Sequence, residues 1–304
     1  MNENTGHLLN PEFSTNFKQH LSDRLSDYYN RTVQIQALEE VCGGDINKAY
    51  KVVTSIGAFF LKQNDALGKE EMFLREKEGL DMLSQTKAIH VPAVILSGNF
   101  GSSIYLLIEY VEKGTSGAAF WFHFGSSMAC LHSNTGPGFG FERDNYIGYL
   151  GQSNKWTADW TDFFAAERIL PLVKMLVNKK NLLPEEFHLV HRLCSRLPSL
   201  IPSEPPALLH GDLWSGNFLV NTAGKPCIFD PAVYYGHREM DIAMTLLFGG
   251  FDQQFYAAYN EVLPLQPGWE ERVSLFQLYP LLVHAILFGG QYVAACKQII
   301  KRYA

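Results

Sequence analysis

A change of hydrophobic period near residue 115 is what most limits how this chain can fold. Upstream of it, short segments rich in β-branched and aromatic residues read as strands: IQALEEV (35–41), KAYKVVTSI (48–56), AFFLKQ (58–63), and stretches near 93–97 and 103–111. Glycine-bearing turns, CGGDIN and SIG, separate the first three, which predicts two hairpins in succession. Helices are expected near 14–30, where Phe17, Leu21, Leu25 and Tyr28 share a face, and near 69–85. Downstream the period becomes helical, at roughly 116–134, 158–180, 184–197, 238–248, 252–263 and 270–302. The proline-rich LPSLIPSEPPALL reads as a connection, because Pro198, Pro202, Pro205 and Pro206 cannot sit in a helix interior. LLHGDLWSGNFLV and KPCIFDPAV then look like two short strands with polar loops. The expectation is an α+β chain with a small β-rich lobe (1–111), a larger helical lobe (112–304) and a site in the cleft between them.

The 304 residues, 47% hydrophobic and 18% charged, suffice for a packed core and exclude a disordered or fibrous chain. Lys and Arg number 25 against 31 Asp and Glu, so there is no basic excess to neutralise a nucleic-acid backbone. The opening MNENTGHLLN lacks a basic region leading into an apolar run, and the longest apolar segment, LYPLLVHAILFGG, is interrupted by Pro280 and His284. A cytoplasmic protein with no membrane partner is expected. Five scattered cysteines without a C-x-x-C pattern argue for reduced thiols, and Cys42 reads as buried filler. His188, His191 and Cys194 drift around a helix with no fourth ligand nearby, so they read as incidental.

The strongest chemical signal is His210-Gly211-Asp212-Leu213-Trp214-Ser215-Gly216-Asn217, followed by Asp230 after an apolar strand. A carboxylate, a carboxamide five residues on and a second carboxylate after a short hairpin are what metal-assisted phosphoryl transfer needs. Asp212 would take the proton of an acceptor hydroxyl, and Asn217 and Asp230 would hold Mg2+ against the phosphates of ATP. Lys62 lies in an otherwise apolar strand, and Glu76 shares a helix face with Met72, Leu80 and Leu83. An inward lysine and an inward glutamate are the ion pair that orients nucleotide phosphates. Gly43 and Gly44 form a turn whose amides can approach those phosphates, although the full G-x-G-x-x-G is absent. There is no G-x-x-x-x-G-K-[ST] and no G-x-S-x-G, which excludes P-loop nucleotidases and elbow-type hydrolases. Asp241 is expected to cap its helix or hold the catalytic loop, and His132 is either a satisfied core histidine or a wall of the acceptor site.

These residues resemble the fructosamine kinases, or ketosamine-3-kinases, relatives of aminoglycoside and choline kinases with a protein-kinase-like fold. The resemblance runs through GGDIN-x-AY (43–50), FFLK (59–62), LIEY (107–110), FGFERDNYIG (139–148), QSNKWTADWTDFF (152–164), ALLHGDLWSGN (207–217) and FDPAVYYGHREMDIAMTLLFGGF (229–251). It implies a five-stranded antiparallel lobe with one inserted helix, a helical second lobe, and ATP-dependent phosphorylation of a ketosamine 3-hydroxyl in protein deglycation. Glu109 and Tyr110 would then form the hinge that meets adenine. Trp214 offers a flat face for a sugar ring or a cationic amine, with Asn145 a further candidate contact; each could equally be packing. The segment 112–118 matches no pattern of that family. Two rivals are a phosphotransferase for an aminoglycoside or choline and a nucleotide-binding module without catalysis. Retention of Asp212, Asn217, Asp230, Lys62 and Glu76 together argues against the second. No motif encodes the sugar, whether the acceptor is free or protein-bound, or an oligomeric state.

Overall fold

The computed structural model describes residues 11–41, 47–64, 70–182 and 186–304. The chain divides into two units, one of residues 1–77 with 92–111 and one of 78–91 with 112–304.

In the first unit, α1 (Pro11–Tyr29) precedes β1 (Ile35–Glu40), β2 (Lys48–Thr54) and β3 (Gly57–Asn64); α2 (Glu70–Gln85), whose residues from Glu78 onward belong to the second unit, then precedes β4 (Val94–Phe100) and β5 (Ser103–Glu109). The strands form one antiparallel sheet in the order β1-β2-β3-β5-β4. β3 is central, with Lys62 opposite Ala49 on one side and Leu106 on the other, so its side chains meet the core. Phe17, Leu21 and Leu25 pack against Val52, Leu61, Tyr105 and Leu107. The expected helix face included Tyr28, but Tyr28 is 52% exposed. Tyr29, four residues beyond Leu25, continues the buried stripe and packs on Phe59, as a 3.6-residue period dictates.

The second unit holds α3 (Phe120–His132), the hairpin β6 (Asn145–Ile147) and β7 (Leu150–Gln152), α4 (Trp160–Phe163), a π-helical stretch (Phe164–Ile169), α5 (Leu170–Asn178) and α6 (Glu186–Leu200). There follow β8 (Ala207–Leu209), β9 (Phe218–Val220), β10 (Pro226–Ile228), β11 (Tyr234–Gly236), α7 (Glu239–Thr245), α8 (Gln253–Val262), α9 (Trp269–Phe276), α10 (Leu278–Phe288) and α11 (Gln291–Tyr303). α3 and α8 press so closely that a side chain at Gly125 would meet the Phe255 carbonyl at 2.1 Å. Phe124, Phe218, Phe251 and Phe255 interlock beside that contact.

Three local expectations are corrected. Pro198 lies inside α6, in its last turn, and Ile201 N–H still closes onto the Leu197 carbonyl. So near a helix end, proline's missing donor leaves the ladder beyond it intact. The two strands expected around HGDLWSGN and KPCIFD are four three-residue strands, paired β9 with β10 and β8 with β11. Cys130 is exposed, and none of the four described cysteines is in a disulfide. Among the described residues no helix is long and apolar enough to cross a membrane.

Candidate active site

β8 delivers the chain into His210-Gly211-Asp212, whose shape is set by a carboxylate from α7. Asp241 Oδ2 accepts the His210 backbone N–H at 2.7 Å, and Oδ1 accepts that of Gly211 at 2.9 Å. His132 Nε2 lies 3.1 Å from the same Oδ2, and its Nδ1 is 2.8 Å from the Tyr259 hydroxyl. Burial alone would raise the Asp241 carboxyl, but the His132 hydrogen bond, the nearby imidazoles and the Gly211 amide outweigh it and hold it below the usual range. Gly211 has φ +83°, and a Cβ there would stand 2.0 Å from the Ala232 carbonyl, so only glycine fits.

His210 is fully buried, with Nε2 at 3.0 Å from the Phe229 carbonyl and Nδ1 accepting the Asp212 N–H at 3.3 Å. One nitrogen must donate and the other accept, which assigns the neutral ring; burial lowers its pKa in the same direction. Asn217 Nδ2 donates to the Asp212 carbonyl at 2.8 Å and to its Oδ2 at 3.1 Å. Burial first, then the Asp230 charge, pushes the Asp212 carboxyl up to about 7, against the pull of Asn217. A carboxylate so placed is a base poised for proton transfer near neutrality.

The β9–β10 pairing sets Phe218 opposite Ile228, and the Phe229 N–H donates to the Asn217 carbonyl at 3.0 Å. Asn217 and Asp230 therefore leave the same end of this ladder. Asp230 holds a left-handed backbone with φ +57°, costly for a residue with a Cβ and recurrent at functional positions. Among the described residues no group of three or more His, Cys, Asp or Glu is gathered for a metal. The donor set here is two hard oxygens, the Asp230 carboxylate and Asn217 Oδ1, whose amide nitrogen is committed to Asp212. This fits Mg2+, which keeps waters and takes phosphate oxygens for the remainder of its shell.

In the first unit, Lys62 Nζ and Glu76 Oε1 are 2.5 Å apart, their side chains 7% and 13% exposed. The centre of the sheet supplies the lysine and the inner face of α2 the glutamate. Gly43 and Gly44, like Cys42, lie outside the described residues. Glu109 ends β5, its N–H on the Ala93 carbonyl at 2.8 Å and its Oε2 accepting the Ala93 N–H at 3.2 Å. The Tyr110 ring carries the Lys51 ammonium 4.5 Å from its centroid.

Of the residues named for acceptor contact, Trp214 is half-buried and stands against Phe248 at 5.7 Å. Asn145 and His132 lie inside the protein. Asn145 donates to the Val233 carbonyl and accepts from Gln152 and Asn154, and His132 is held between Tyr259 and Asp241. Both support the segments around Asp212 from behind. Sequence reasoning missed Arg168, fully buried in the π-helical stretch. It donates to the Ser153 carbonyl at 2.5 Å and Asn154 Oδ1 at 2.6 Å, and its guanidinium faces the Tyr234 and Phe163 rings. The available signal was an arginine set within FFAAERIL. Also unforeseen are the ion pairs flanking α7, Arg238 with Glu204 and Arg272 with Glu239, each at 2.6 Å.

The family model for fructosamine kinase matches residues 17–304. A ketoamine kinase candidate of Synechocystis sp. is 38% identical over 93% of this chain and 96% of its own length. The chloroplastic protein-ribulosamine 3-kinase of Arabidopsis thaliana is 36% identical over 90% of this chain and 84% of its own. Among solved structures, a fructosamine-3-kinase candidate from Haemophilus somnus superposes with a TM-score of 0.85 at 29% identity, covering 93% of this chain and 96% of that one. An aminoglycoside phosphotransferase aligns with a TM-score of 0.59 at 16% identity over 96% of this chain and 99% of that one, a likeness of fold: the α+β architecture is protein-kinase-like.

Proposed function

This chain belongs to the fructosamine kinase family, and from that premise we propose that it transfers the γ-phosphoryl group of ATP to the 3-hydroxyl of a ketosamine, as a deglycating kinase. The observation that carries the reading is the Asp212 carboxylate, oriented by Asn217 on a loop anchored by Asp241. The acceptor oxygen forms its bond to the γ-phosphorus as the bond to the β,γ-bridging oxygen breaks. The acceptor proton passes to Asp212, and ADP leaves with the bonding pair. Lys62, kept in place by Glu76, steadies the nucleotide phosphates, and Glu109 with Tyr110 borders adenine. Asn217 and Asp230 would hold Mg2+, which neutralises developing charge on the phosphates. Trp214, two residues beyond the base, presents an aromatic face to the protonated amine of the acceptor.

The test is acceptor-dependent ADP release with Mg·ATP across ribulosyl-lysine, fructosyl-lysine, an aminoglycoside and choline. Turnover of a ketosamine that ceases in Asp212→Asn is expected. Turnover of the aminoglycoside or choline alone would overturn the substrate while leaving phosphoryl transfer in place.

A further inference from the structure

Arg168 is a fully buried cation with no carboxylate paired to it among the described residues. Its guanidinium lies over the Tyr234 ring at 4.1 Å and the Phe163 ring at 4.5 Å, and it donates to the Ser153 carbonyl and to Asn154 Oδ1. A buried charge answered only by dipoles and ring faces costs stability that an apolar side chain of similar size would not. The backbone is shaped to admit it. Buried residues fall at Phe163 and Phe164 and again at Arg168 and Ile169, and the π-helical turn from Phe164 to Ile169 brings residues five apart onto one face. In an α-helix the arginine would stand about 140° around the axis from Phe163. Such turns are rare, and they recur at functional sites.

The contacts of Arg168 lead to the segment that follows Asp230. Asn154 Nδ2 donates to Asn145 Oδ1 at 2.9 Å, and Asn145 Nδ2 donates to the Val233 carbonyl at 2.8 Å. Gln152 Nε2 donates to the same Asn145 oxygen at 2.7 Å and to the Ala232 carbonyl at 3.2 Å, while the Tyr279 hydroxyl donates to Gln152 Oε1 at 2.6 Å. An arginine can only donate, so its bond to Asn154 Oδ1 turns that amide, and through it the Asn145 amide, to donate onward to the backbone. Ala232 and Val233 are thus held by amides and Tyr234 by its ring. Ala232 N–H in turn donates to the His210 carbonyl at 2.8 Å, joining the segment to the loop of Asp212. The braced residues begin two positions after Asp230, whose left-handed backbone at φ +57° persists only where its surroundings over-determine it.

We propose that Arg168 is a positioning residue for phosphoryl transfer: by orienting the amides of Asn154, Asn145 and Gln152 it fixes residues 232–234 and holds Asp230 in the conformation in which it would bind Mg2+. The inference rests on the metal role given to Asp230 in the functional reading above. Arg168 itself touches neither metal nor substrate, and its charge serves to set the direction of the hydrogen bonds that end on this segment.

The experiment is a calorimetric titration of the full chain with ADP, once with Mg2+ and once with EDTA, and with no acceptor present. The wild type should bind ADP more tightly with Mg2+. Arg168→Met should cut that enhancement about tenfold, the scale of losing an outer partner of a metal ligand, with the affinity for metal-free ADP kept within about twofold. Asn154→Leu, which breaks the series of amides but spares the charge and its ring contacts, should do the same, and the double variant should lose no more than either alone. Leu193→Ala, a truncation in the buried face of α6, controls for destabilisation: it should melt lower and keep the full enhancement. An enhancement unmoved by Arg168→Met, or losses that add in the double variant, overturns the proposal. Should Arg168→Met fail to fold, Asn154→Leu decides alone, its loss of enhancement supporting the proposal and its retention overturning it. A wild type that binds ADP equally with and without Mg2+ removes the metal role from Asp230 and the proposal with it. Because no acceptor is present, the result does not depend on which hydroxyl compound the chain phosphorylates.

Discussion

Asp241 accepts the backbone N–H of His210 at 2.7 Å from 31 residues further along the chain. The same carboxylate takes the Gly211 amide, so its loss strands two buried donors. Asp241→Ala should destabilise the protein by about 2–5 kcal/mol and abolish turnover, as read by denaturant unfolding and ADP release. A stability within error of wild type would refute the anchoring role.

Asp212→Asn should reduce kcat by about 10²–10⁴, the usual contribution of a general base, with Mg·ATP affinity preserved in a calorimetric titration. The same variant should melt about 2–4 °C higher, because it removes a carboxylate that burial and Asp230 disfavour. Undiminished kcat would remove Asp212 from the mechanism.

The Lys62–Glu76 contact makes a separate prediction for nucleotide use. Glu76→Gln should raise KM for ATP and lower kcat, together by about 10²-fold in kcat/KM, while KM for the acceptor stays within about twofold. A loss confined to the acceptor would contradict the assignment.

Gly211→Ala should be inactive despite adding one methyl group. Its left-handed backbone and the Ala232 carbonyl at 2.0 Å leave no room for a Cβ. Circular dichroism should report a folded chain of lowered melting temperature, since the clash is local.

His237 provides the pH dependence of stability. Burial pushes its pKa down to about 4, although the Glu204 charge draws it upward. The unfolded chain, with an ordinary imidazole near 6.5, binds the proton first. The contribution of the neutral ring is therefore complete above 6.5 and is lost as pH falls toward 4, by up to about 3 kcal/mol. His237→Gln should flatten this part of the stability profile, as measured by urea midpoints across the interval.

The legible parts of this fold were those written in local pattern. Runs rich in β-branched and aromatic residues marked the sheet strands, and the spacing of Met72, Glu76, Leu80 and Leu83 turned Glu76 inward where Lys62 meets it. Tyr28 was misassigned because spacings of three and four both satisfy a helical stripe, and only the packing partner decides between them. Around Asp212, the order of the residues offered candidate groups for phosphoryl transfer and Asp241 as a holder of their loop, but not the buried charges behind them. Arg168 and the paired charges beside α7 act through contacts distant in sequence, which no periodicity encodes. The four three-residue strands were read as two for a related reason: three residues are too few to display an alternation.

The convergence on Asp241 bears on biosynthesis. His132 lies 109 residues before it and His210 31 before it, so both are synthesised before their shared partner exists. A nascent chain already carrying Asp212 and Asn217 still lacks the group that shapes their loop. Competence for transfer thus arrives late in translation, when α7 has been made and can fold back onto segments synthesised earlier.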